Sequence, residues 1–74
     1  MENASLTQLN PGDSCTIKKI YAGNYATKRL YEMGLNTGAE LKVIKNDTGP
    51  VIVSLFGNKI AVGRGLAEKI MIAI

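Results

Sequence analysis

No histidine occurs in this chain, and cysteine occurs once. The first absence removes the commonest general acid–base group and the commonest imidazole metal ligand. The second forbids an intrachain disulfide. Small secreted domains generally need several disulfides, so a lone Cys15 points to a reducing compartment. No apolar run approaches the roughly 20 residues that span a bilayer, and none is expected to insert. The N-terminus carries Glu2 and polar residues instead of a basic stretch followed by an apolar one, so no signal peptide is read there. The expected location is the cytoplasm.

Chemistry is equally sparse. Structural zinc needs four Cys or His ligands, and one is present. The six carboxylates, Glu2, Asp13, Glu32, Glu40, Asp47 and Glu68, are dispersed and read as solvated charges. Cys15 alternates with Ile17 on a strand pattern. A reactive thiolate needs exposure and a nearby base or cation, so the reading is a buried structural thiol. Gly63-Arg64-Gly65 is a fragment of a dinucleotide loop without its third glycine or a βαβ setting. The serines lie in no nucleophile motif. The expectation is a binding module without catalytic, metal or cofactor site.

The 74 residues allow one domain, 1–74, with 46% hydrophobic and 20% charged residues. That composition builds a core and does not fit disorder. Asn10-Pro11-Gly12-Asp13 has the type II turn signature, and Leu35-Asn36-Thr37-Gly38 echoes the turn that precedes it. Each is followed by a strand pattern: Ser14 to Tyr21, with a slip at Lys19-Ile20 that suggests a bulge or the strand's end, and Glu40 to Lys45. Two such copies suggest similar corners of a barrel. Between them a helix is expected from an Asn24 cap to about Met33, with Ala26, Leu30 and Met33 on its core face. Gly34 is placed to end it in a Schellman motif that folds Leu35 onto Leu30. Asn46 to Pro50 is a turn cluster. Val51 to Phe56 and Lys59 to Val62 form a hairpin through Gly57-Asn58, read as type II′. Leu66 to Lys69 is one helical turn, and Ile70, Ile72 and Ile74 alternate in a closing strand. The sum is a mostly β fold: a small SH3-like barrel of about five strands, with one short helix inserted after the first strand.

Two surfaces invite partners. Lys18, Lys19, Lys42 and Lys45 lie on neighbouring strands near Tyr21. With a net charge of +3 they suggest nucleic acid, although charges on strands also serve to prevent edge pairing. Tyr25, Lys28, Arg29 and Tyr31 lie off the helix's core face. Tyr and Arg are enriched at interface hot spots, so these four are the candidate partner-binding residues. An open Ile70 to Ile74 edge would allow self-association.

Leu6-x-x-Leu9-x-Pro11-Gly12, Arg29-Leu30-x-x-Met33-Gly34-Leu35-x-x-Gly38, Gly49-Pro50, Gly57-x-x-x-Ala61 and Ala67-x-x-Ile70, in this order, resemble the FeoA family. The resemblance covers nearly the whole chain. It implies an SH3-like barrel and a cytoplasmic accessory role in bacterial ferrous-iron transport. It further implies a partner, the membrane transporter FeoB with its cytosolic GTP-binding domain, and hence a peripheral position at the inner membrane. Val62-Gly63 stands where the family usually has Leu-Arg, with Arg64 one place late. Related barrels end the DtxR-type repressors, whose DNA-binding helices have no room here.

Overall fold

The computed structural model describes residues 4–73. A two-residue strand β1 (Ala4–Ser5) runs into a 3₁₀ turn (Leu6–Gln8), followed by β2 (Ser14–Ile20), α1 (Asn24–Glu32), β3 (Glu40–Lys45), β4 (Val51–Leu55), β5 (Asn58–Val62), α2 (Arg64–Ala67) and β6 (Ile70–Ala73). The strands form one antiparallel sheet in the order β1-β6-β2-β3-β4-β5. The fold is mostly β and SH3-like, as expected, with six strands instead of five. The helix therefore follows the second strand. Period-2 alternation aims Cys15 and Ile17, Leu41 and Val43, Val51, Val53 and Leu55, and Ile70 and Ile72 into one core.

The two echoing turns build matching corners. Asp13 N–H donates to Asn10 O (3.0 Å) and Ala39 N–H to Asn36 O (3.0 Å), closing turns in which Gly12 and Gly38 adopt φ of +96° and +89°. Each glycine then donates across to the other copy's strand, Gly12 N–H to Val43 O (2.8 Å) and Gly38 N–H to Ile17 O (2.7 Å). Cys15 faces Leu41 at the centre of this pseudo-twofold pair. Beyond it β2 changes register between Ile17 and Lys19, slightly earlier than the slip expected at Lys19-Ile20, and the strand ends at Ile20.

α1 ends as its sequence foretells. Leu35 N–H bonds Leu30 O (2.9 Å) and Gly34 N–H bonds Tyr31 O (3.0 Å), the two bonds of a Schellman motif. Gly34 has φ +90°, and a Cβ there would stand 3.1 Å from the Leu55 side chain. Leu30 and Leu35 are fully buried and fix the helix to the barrel.

Several expectations need correction. Asn24 is the first helical residue, not the cap; Gly23 holds that place without a side-chain bond. The Thr27 hydroxyl instead donates to Ala22 O (3.2 Å). Met33 is exposed rather than core. The hairpin turn is Phe56-Gly57, because Leu55 pairs with Asn58. Both turn residues have positive φ, +53° and +82°, which makes it type I′. The short helix sits two residues early, at Arg64–Ala67. Strand Ile70–Ala73 is no edge: it lies between β1 and β2, and Ile74 is outside the described residues.

A polar network also ties the ends of the fold together. Asn46 Nδ2 donates to Thr7 O (2.8 Å) and Leu9 O (2.6 Å). Its Oδ1 accepts from the Arg64 guanidinium (2.6 Å), which also bonds Gly49 O (3.0 Å) and Asp47 O. The Arg64 that stands one place late is thus a clamp on the β3–β4 turn.

Candidate functional site

A groove of about 340 Å³ lies between α1 and the β5–α2 corner. Tyr25, Ala26, Arg29 and Met33 form its helical wall, spaced so that one helix face presents all four. Ala61, Val62, Gly63 and Leu66 form the opposite wall. The lining is largely apolar, and its only charged side chain is Arg29.

Of the four candidate residues, the structure brings two into this groove. Tyr25 is 75% exposed, and Arg29 lies one helical turn on. The Arg29 guanidinium stacks 6.0 Å from the Tyr25 ring centroid and donates to its hydroxyl at 3.5 Å. That bond favours the charged guanidinium and raises its already high pKa. Lys28 lines a second, smaller depression with Tyr25, Arg29 and Glu32. Tyr31 is half exposed and lines neither. Ala26 and Met33, expected on the core face, line the groove instead, and Ala61, Val62, Gly63 and Leu66 were not among the candidate residues. Met33 in particular carries the spacing of a core residue, and only the fold reveals that it faces the groove.

The lysines are not gathered. β2 and β3 are antiparallel, so Lys42 stands opposite Ser14 and Glu40 opposite Thr16. Lys18 lies about four residues, or roughly 13 Å, along the ladder from Lys42, with Glu40 between. Lys19 reaches back over the Tyr21 ring, 5.2 Å from its centroid. No basic stripe forms across the two strands.

Cys15 is buried, and burial together with the nearby Asp13 carboxylate pushes its thiol up to about 11. A thiol so protonated at neutral pH is a poor nucleophile. Among the described residues no three Cys, Asp or Glu side chains cluster in a way that could hold a metal ion. No helix among them is long and apolar enough to cross a membrane.

The outlying feature is Phe56. It is 84% exposed at the hairpin tip and holds the left-handed backbone at φ +53°. For a bulky residue that conformation is strained.

These elements define a class: an SH3-like barrel with a helix laid beside one sheet edge and an apolar groove between them. The FeoA domain model matches residues 4–74, and the chain belongs to the FeoA family. A protein of Methanocaldococcus jannaschii assigned as Fe(2+) transport protein A is 56% identical over 61 residues, covering 82% of this chain and 74% of that protein. A crystal structure of an iron uptake regulatory protein, FeoA, superposes with a TM-score of 0.89 at 35% identity, covering 96% of each chain. IdeR of T. acidophilum contains the same fold (TM-score 0.90, 24% identity), spanning all of this chain and 35% of that one, a likeness of fold alone.

Proposed function

We propose that this protein is a non-catalytic, cytoplasmic accessory protein of ferrous-iron uptake that docks on the cytosolic part of the FeoB transporter and modulates it. FeoA family membership supports the transport setting. The observation that carries the docking reading is the groove beside α1, where an exposed Tyr25–Arg29 pair borders an apolar floor. Aromatic and arginine anchors around a desolvatable pocket are the usual energetic centre of an interface. Tyr25 and Arg29 are the anchors, and Lys28 and Tyr31 flank them on the helix. Modulation requires that the protein bind two states of the transporter unequally.

Calorimetric titration of the FeoB cytosolic region, with and without a GTP analogue, tests this. Tyr25→Ala and Arg29→Glu are expected to weaken binding at least tenfold while leaving the circular dichroism spectrum unchanged. Equal affinity of both variants and the parent would remove this surface. Equal affinity with and without nucleotide would remove nucleotide-linked modulation.

A further inference from the structure

The groove has a sheet edge along one wall. β5 pairs only with β4 among the described strands, and its other side is the end of the sheet. Leu55 and Asn58 close a two-residue turn, so they form a hydrogen-bonded pair, and the alternation of an antiparallel ladder makes Val53–Ile60 and Val51–Val62 hydrogen-bonded pairs too. The N–H and C=O groups of Lys59 and Ala61 therefore point away from β4. No described backbone group bonds to them. Ala61 is also a wall of the groove, directly across from α1.

A strand edge facing a helix across an apolar furrow is the arrangement that accepts an extended segment as an added strand: main-chain bonds give affinity and alternate side chains fill the furrow. The furrow's charge selects the occupant. Arg29 is its single charged residue and no carboxylate lines it; Glu32, which acts on that guanidinium, lines the neighbouring depression instead. Building on the docking reading above, we infer that the partner contributes an extended apolar segment bearing a carboxylate, which adds as a strand to β5 and pairs the carboxylate with Arg29. A second copy of this chain is the poorer occupant, because it carries the same net charge of +3.

Hydrogen exchange of the full chain with the FeoB cytosolic region tests this, read at single amides. Strand addition slows exchange at Lys59 and Ala61 at least tenfold in the complex. Ala61→Pro removes an outward N–H that β4 does not use, which an edge strand tolerates, and it weakens binding at least tenfold. Binding that leaves both amides exchanging as in the free protein overturns strand addition and leaves docking standing. No binding in any nucleotide state overturns both. Protection that rises with the concentration of this chain alone overturns the partner segment in favour of self-pairing.

Discussion

Among the described residues, one edge of the sheet is two residues long and the other five. At the short edge, the described part of β1 is Ala4 and Ser5, after which the backbone turns away. The Ser5 side chain and Gln8 cap that turn reciprocally: Gln8 Oε1 accepts from Ser5 N–H at 2.7 Å, and Ser5 Oγ accepts from Thr7 N–H at 3.2 Å. Asn46 then binds the carbonyls of Thr7 and Leu9 that follow. The Ser5 and Thr7 N–H groups and the Thr7 and Leu9 carbonyls on this side are thus bonded by side chains. The β5 edge has no proline, no register shift, one lysine and an apolar groove beside it. Proteins ordinarily blunt such an edge. The contrast supports the proposal that the open edge is a binding surface, because the same chain ties down the backbone beside its other edge with side-chain bonds.

The comparison can be broken most severely from the helix. Leu30→Ala removes the buried side chain that holds the groove's helical wall, and it should cost about 2–5 kcal/mol in a urea melt. In so small a domain that approaches global unfolding. Asn46→Ala attacks the closed edge instead. It strands the Thr7 and Leu9 carbonyls, which should cost about 1–3 kcal/mol. Partner affinity measured below the unfolding transition should not change.

The core between the edges has a pH signature. Cys15 titrates near 11 in the folded chain, against a reference of 9.0. Above the lower value the unfolded state loses its proton first, so stability is fully present below pH 9 and falls between pH 9 and 11. The fall is on the order of 2 kcal/mol, read as the difference between the parent and Cys15→Ala melts across that window. No slope would mean an exposed thiol, and a reversed one a thiolate that the fold stabilises.

The smallest effect sits at the start of the open edge. Phe56→Asn replaces a strained, solvent-facing ring with a residue suited to a type I′ turn, and should raise stability by about 1 kcal/mol.

Much of this architecture was legible in the residues. Twin turns, alternation in β2, β3, β4 and β6, and the Gly34 helix ending are local rules, and each appears where the pattern put it. What failed was set by tertiary contacts. Met33 has core spacing but sits over the groove, since α1 packs through Leu30 and Leu35 while Met33 looks across at Ala61 and Leu66. Gly57-Asn58 suits a hairpin turn, yet pairing of Leu55 with Asn58 moved the turn one residue and put Phe56 in it. The described part of β1 is too short for any periodicity to reveal. Its one signal was the Ser5-x-x-Gln8 capping pattern. Half of the site was legible: Tyr25 and Arg29 stand out by type and face. The strand wall was not, because an edge is defined by which neighbour is missing.

The central claim is that this protein meets its partner through the β5–α1 side. An NMR titration of the isotope-labelled chain with the FeoB cytosolic region, followed at both edges at once, tests it most directly. Shifts confined to Tyr25–Met33 and Lys59–Leu66, with Ala4–Gln8 unmoved, are the predicted result; shifts centred on the short edge, or on Lys18 and Lys42, would contradict it.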